Sequence, residues 1–254
     1  MESKPVTRKE IKALLESIGI EPGSTVLLQA DLAGLPEVVG GINALLEALM
    51  DLLTPKGLLI LPTFTRTALD PACDPQTVFP VDQWQVVRDN HPGFSSRTMP
   101  ADIYPQASQA FLLHTRVRRS EHPVYSVAWW GTSGYSPSMK SLNYPLSFSH
   151  VLERMKDEQA VNLLVGVPVT EALYPLLVGH EKNEDITLLQ NAFVRRTKRT
   201  FEEPFLHSCL DDQTAMGLLQ DLAIASRDLS GLPVYKIMQP ASASILQETV
   251  SRIL

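Results

Sequence analysis

The pattern that most constrains this chain lies between residues 25 and 62. Thr25-Val26-Leu27-Leu28-Gln29 is a short β-rich run of the kind found in a buried central strand. After a loop over residues 30–36, Gly40-Gly41 opens an amphipathic helix. Its apolar positions are Ile42, Leu45, Leu46, Leu49, Leu52 and Leu53, with Glu47 and Asp51 turned outward. Thr54-Pro55-Lys56-Gly57 stops the helix, and Leu58-Leu59-Ile60-Leu61 is a second buried strand ending at Pro62. Strand, loop, helix, strand is a βαβ unit, which demands a parallel pair and a right-handed crossover. Ligands of such sheets gather at the carboxyl ends of the strands. That rule predicts a common crevice near Gln29, Ala30, Asp31, Thr63, Phe64 and Thr65.

The rest of the chain is read outward from this unit. Thr7 can cap a helix whose apolar residues Ile11, Leu14, Leu15 and Ile18 recur at helical spacing. Residues 66–104 are poor in periodicity and rich in Pro, Asp and Ser, which suits a functional excursion over the crevice. A short helix is expected over 106–113. Arg118-Arg119-Ser120-Glu121-His122-Pro123 then sets cations, a hydroxyl and a histidine in front of an apolar run that reads as a strand up to Gly131. Such a lip at a strand end could hold an anionic ligand, or could be a solvated loop. Further expectations are a helix around 149–155, a strand over 160–167, an apolar segment over 172–178 and a polar connector. A helix over about 212–227 and a closing helix over 242–253 complete the set. With no internal repeat or low-complexity linker, residues 1–254 are expected to form one domain.

Composition excludes several classes. A net charge of −6 with no dense basic block argues against non-specific nucleic-acid binding. Cys73 and Cys209 follow no metal or redox spacing, and two lone thiols suit a reducing compartment. No apolar run reaches the roughly 18 residues of a membrane helix, and the first residues have no secretion-type apolar core. The expectation is a cytoplasmic protein with no metal, no membrane and no nucleic-acid partner.

With the motifs in order, the chain resembles the aminoglycoside 3-N-acetyltransferase family, antibiotic N-acetyltransferases that use acetyl-CoA. The resemblance runs from about Glu21 onward. It rests on Val26-Leu27-Leu28-Gln29-Ala30-Asp31-Leu32 with Gly40-Gly41, and on Leu61-Pro62-Thr63-Phe64-Thr65. The family's Arg-Ser-x-His-Pro-x-x-Ser signature stands complete as Arg119-Ser120-Glu121-His122-Pro123-Val124-Tyr125-Ser126, and Asn162-Leu163-Leu164-Val165-Gly166-Val167 resembles its Gly-Val strand. The resemblance implies a three-layer α/β/α arrangement around a mostly parallel, mixed sheet. It also implies acetyl-CoA or another acyl-CoA as co-substrate and a small-molecule amine as acceptor. Arg119, Ser120, His122, Ser126 and Thr63 would then face the cofactor, and a homodimer is a further expectation. The cluster Arg195-Arg196-Thr197-Lys198-Arg199, otherwise a solvated helix end, would suit a CoA 3′-phosphate.

The departures fall on the acceptor side. Where the family carries Thr-x-Leu-His-x-x-Glu, whose His and Glu activate the amine, this chain reads Glu171-Ala172-Leu173-Tyr174-Pro175-Leu176-Leu177. Tyr174 stands for the His and Leu177 for the Glu. A neutral tyrosine is a poor base at neutral pH. The remaining catalytic candidates are His122, Asp31 and Tyr174. Asp31 could orient an amine or cap a turn, and Tyr174 could donate to a thioester carbonyl or sit in the core. The expected function is acyl-CoA-dependent N-acylation by direct transfer, with an aminoglycoside disfavoured as acceptor. The alternative is a catalytically inactive relative that binds CoA or a partner protein.

Overall fold

The computed structural model describes residues 4–33, 37–132, 141–156, 159–229 and 231–238. Helix α1 (Arg8–Ser17) starts at a capping box: the Glu10 carboxylate accepts from the Thr7 N–H at 2.9 Å while the Thr7 hydroxyl accepts from the Glu10 N–H. Strand β1 (Thr25–Ala30), helix α2 (Gly41–Leu53) and strand β2 (Leu58–Pro62) form the expected βαβ unit, with β1 and β2 parallel from Thr25↔Leu58 onward. On its other edge β1 pairs in parallel with β5 (Val161–Val165).

Around these three strands the sheet is completed by antiparallel pairings. β4 (Val127–Gly131) lies against β2, and the two-residue β3 (Arg118–Arg119) closes that edge. β9 (Leu232–Met238) lies against β5, with β8 (Ala223–Leu229) outermost, so the order is β3-β4-β2-β1-β5-β9-β8. Gly131 ends β4 at φ +97 because a Cβ there would sit 2.1 Å from the Gly57 carbonyl oxygen.

Alternation along the strands divides the core between two faces. Val26 and Leu28 face α1, α2 and α4 (Pro105–Leu113), which contributes Phe111. Leu27, Ile60 and Leu164 face α5 (Ser149–Met155), α6 (Tyr174–Lys182) and α7 (Asp212–Gln220). Helices on both faces of a mixed sheet are the three-layer arrangement the sequence predicts.

Two regions depart from expectation. The polar connector holds a separate hairpin of β6 (Ile186–Arg196) and β7 (Arg199–Cys209), eleven residues each, so Arg195–Arg199 is a hairpin tip and not a helix end. The helix expected over 212–227 stops at Gln220, because Ala223–Leu229 pairs with β9 through a turn. In that turn Gly231 takes φ +92 and donates to the Asp228 carboxylate at 2.7 Å. The helix expected over 242–253 lies outside the described residues. Residues 66–104 contain three 3-10 turns and helix α3 (Trp84–Asn90), tied down by Arg88, which forks onto Asp70 at 2.7 and 2.9 Å. Among the described residues no helix is long and apolar enough to cross a membrane.

Candidate active site

The carboxyl ends of β1, β2 and β5 come together, as the βαβ rule requires, but their polar side chains close a floor instead of lining an open wall. Gln29, Thr63 and Thr65 are buried. The Gln29 amide nitrogen donates to the Glu171 carbonyl at 2.8 Å and the Tyr104 hydroxyl at 3.0 Å. Its oxygen accepts from the Leu173 N–H at 2.9 Å and the Asn162 amide at 3.2 Å. Gln29 therefore fastens the loop after β5 to the end of β1.

The Arg-Ser-x-His-Pro-x-x-Ser element is a second knot, beside the end of β2. Arg119 donates to the Ser126 hydroxyl at 3.0 Å, the Thr63 carbonyl at 2.8 Å, the Thr65 hydroxyl at 2.6 Å and the Met99 carbonyl. Ser126 donates onward to the Thr63 carbonyl at 2.7 Å and lies 3.0 Å from the Thr63 hydroxyl. Ser120 accepts from the Val127 N–H at 3.0 Å, which pins β3 to β4. Burial lowers the Arg119 pKa to about 10, opposed by the charges of Asp102 and Glu121. The guanidinium also lies 5.0 Å from the Phe94 ring centre, a cation–π contact. Its printed bonds are all to the protein itself.

His122 is fully buried and spent on backbone. Its Nδ1 accepts from the N–H groups of Tyr125 at 2.9 Å and Val124 at 3.1 Å, which leaves the proton on Nε2 to donate to the Leu142 carbonyl at 2.7 Å. Burial is the main cause that lowers its pKa to about 4, so the ring is neutral at pH 7. Pro123 follows in the same buried turn, and rings of Tyr125 and Phe205 meet the imidazole edge-on at 5.4 and 5.3 Å.

On the acceptor side, Tyr174 opens α6 with its ring inside the core. Its hydroxyl donates to the Met155 carbonyl at 2.7 Å, and its N–H donates to the Asn162 side chain at 3.2 Å. Leu177 is fully buried beside it. Both residues that replace the family's His and Glu thus serve packing. The half-buried Asp31 accepts from the Ala33 N–H at 2.9 Å through one oxygen, an Asx turn. Nearby, the Tyr104 hydroxyl donates to the Glu171 carboxylate at 3.4 Å. Burial raises the Tyr104 pKa to about 12, and the charges of Glu171 and Asp31 push the same way. Tyr104 therefore remains a protonated donor between two carboxylates. Neither Tyr104 nor Glu171 stands out in the sequence. Tyr104 follows an irregular stretch, and Glu171 carries significance only once Gln29 ties its loop to β1.

A groove of about 690 Å³ runs along the sheet edge, between α4, residues 96–100 and β3. It is lined by Arg97, Arg118, Arg119 and Glu121, with Leu112 and Leu113 on the helix side. Among the described residues no cluster of His, Cys, Asp and Glu could hold a metal.

Comparison with known proteins agrees with this geometry. The aminoglycoside 3-N-acetyltransferase family model matches residues 27–174, more than half of the chain. The chain belongs to that family. It is 31% identical over 146 residues to the SPbeta prophage-derived aminoglycoside N(3′)-acetyltransferase-like protein YokD of Bacillus subtilis, covering 57% of this chain and 52% of YokD. It thus spans about half of that relative's length. It is 26% identical over 209 residues to aminoglycoside N(3)-acetyltransferase IX of Micromonospora chalcea, covering 80% and 68% of the two chains. The YokD crystal structure superposes with a TM-score of 0.80 at 19% identity, over 92% of this chain and 89% of that one. AAC-IIIb in binary complex with CoASH superposes at 0.72 and 15% identity, over 92% of each chain. These superpositions establish the fold of the family.

Proposed function

We propose that this protein is an acyl-CoA-dependent N-acyltransferase that acts on an amine-bearing small molecule by direct transfer. The observation that carries this reading is the completeness of the Arg119–Ser126–Thr63–Thr65 network beside the strand ends. A guanidinium held in a partly buried knot is costly unless its position matters, and here it fixes the lip that faces the crevice.

An acyl-CoA supplies the thioester: the amine nitrogen bonds to its carbonyl carbon, the C–S bond breaks and CoA leaves as a thiol. The residues of this chain supply orientation, charge and a proton acceptor. His122 has no ring nitrogen free for proton transfer, because its three hydrogen bonds hold the turn at residues 122–125. The Tyr174 hydroxyl is turned into the core. The polar groups left on the acceptor side are Asp31, Glu171 and Tyr104. Two carboxylates favour a cationic acceptor, and either can take up the proton the nitrogen releases as it is acylated. A carboxylate is a weaker base than a His–Glu pair, so the reaction favours amines that are appreciably unprotonated at neutral pH. Aminoglycosides act as substrates for neighbours such as those solved with sisomicin or gentamicin only insofar as their titles name those ligands. Without the His and Glu, an aminoglycoside is not the acceptor we expect here.

The test is thiol release from acetyl-CoA across a panel of amines, for the wild type, Asp31→Asn and Glu171→Gln. Amine-dependent release that falls at least about tenfold in one variant supports the reading. Equal rates in all three remove both carboxylates from the chemistry. A second reading, an inactive relative that keeps CoA binding, is favoured by the buried Tyr174 and Leu177. It predicts CoA binding with no thiol release for any amine.

A further inference from the structure

If the protein is an acyl-CoA-dependent transferase, the phosphates of the co-substrate need cations that the protein has not already used. Arg119 does not qualify, because its bonds run to Ser126, Thr63, Thr65 and Met99. We infer that the groove between α4, residues 96–100 and β3 holds the phosphate-bearing adenosine end of the acyl-CoA, with Arg97 and Arg118 as its phosphate ligands. This inference rests on the transferase reading and deepens it.

Arg97 and Arg118 are exposed, and neither makes an ion pair with an acid among the described residues. Glu121 is the carboxylate lining this groove, and it accepts a hydrogen bond from the Ser96 hydroxyl at 2.6 Å. With three guanidiniums against one carboxylate, the groove is cationic in a chain whose net charge is −6. Two free guanidinium forks suit phosphate oxygens, which they can engage in charge-assisted pairs.

Shape and position agree. A volume of about 690 Å³ is that of a small-molecule site. Leu112, Leu113 and Val117 give the groove an apolar wall, and Leu113 is 86% exposed, so a purine laid on it would cover bare hydrocarbon. Arg119 joins this groove to the strand ends, since it lines the groove while bonding Thr63 and Thr65. A flexible pantetheine arm can therefore lead from the groove toward the crevice. The neighbouring groove of about 400 Å³, lined by Arg195 and Arg196, is a poorer anion site. It carries Glu121 and Glu203, and Glu203 already pairs with Arg196 at 2.6 Å.

The experiment is calorimetric titration of CoA and of adenosine 3′,5′-bisphosphate into the full chain, as wild type, R97Q, R118Q, R97Q/R118Q and R195Q. Circular dichroism melts confirm that these surface variants fold. Each of R97Q and R118Q should weaken both ligands about tenfold or more, the loss expected for one charge-assisted contact, and the double variant more than either. R195Q should bind both ligands as the wild type does. The affinity of the wild type should fall with added KCl, less steeply in the double variant. Unchanged CoA affinity in R97Q/R118Q, or an equal loss in R195Q, overturns the assignment and leaves the transferase reading standing. A wild type that binds no CoA overturns both.

Discussion

His122 provides the sharpest test of how the signature motif works. The perturbations are His122→Ala and His122→Asn. Alanine strands three buried backbone groups: the N–H groups of Val124 and Tyr125 and the carbonyl of Leu142. At roughly 1–3 kcal/mol each, with compensation from relaxation, the expected loss is about 3–5 kcal/mol. Asparagine can place its oxygen near the Nδ1 position and keep the two N–H partners, so it should cost only about 1–3 kcal/mol. The imidazole also sets a pH dependence. Its folded pKa is lowered from 6.5 to about 4, so the unfolded chain binds more protons in that window. A lowered histidine pKa contributes stability that is fully present above pH 6.5 and is lost as pH falls toward 4. Between pH 7.5 and pH 5.0 that loss works out at about 2 kcal/mol for this one side chain. Urea denaturation at the two pH values measures it. His150 and His207, also held near 4 by burial, add their own dependence, so the quantity to compare is the difference between wild type and variant. The asparagine variant should lose about 2 kcal/mol less than the wild type over this interval. An asparagine variant with the full pH dependence of the wild type, or an alanine variant costing under about 1 kcal/mol, refutes the latch.

Tyr174→Phe leaves the Met155 carbonyl without its partner and should cost about 1–2 kcal/mol in urea denaturation, with thiol-release rates within about twofold of the wild type. A tenfold fall in rate would instead make Tyr174 catalytic. Arg119→Lys cannot reproduce four guanidinium bonds and should destabilise by about 2–4 kcal/mol, whereas R97Q and R118Q should leave the melting temperature nearly unchanged. Gln29→Leu is nearly isosteric but leaves the Leu173 N–H and Glu171 carbonyl unpaired, so it should cost about 2–4 kcal/mol and raise amide exchange over residues 169–174.

Much of the parallel core could be read from residues alone, because periodicity and turn chemistry agreed there. The run Thr25 to Gln29, the helix opened by Gly40-Gly41 and the strand ending at Pro62 each carry a local signal that packing reinforces. The β6–β7 hairpin and β8 were missed because their stability comes from pairing, not propensity. Ala223-Ile224-Ala225-Ser226-Arg227 is compatible with helix, and only β9 makes it a strand. Of the candidate residues, the structure brings Arg119, Ser126 and Thr63 into one network and ties Ser120 to the strand behind it. It places His122 and Tyr174 in the interior, with polar atoms committed to backbone. Sequence order could show the motif but not the direction in which each side chain points. The same limit hid Glu171 and Tyr104, which meet across 67 residues through Gln29.

The central claim is that this chain transfers an acyl group from CoA to an amine without His or Glu at the usual positions. The most direct measurement counts two products in one incubation with acetyl-CoA and an amine: free thiol by colour reaction, and N-acetylated amine by mass spectrometry. The account predicts equal amounts of both, with neither formed when the amine is omitted. Thiol release with no acylated amine, or no turnover across a broad amine panel despite CoA binding, contradicts it.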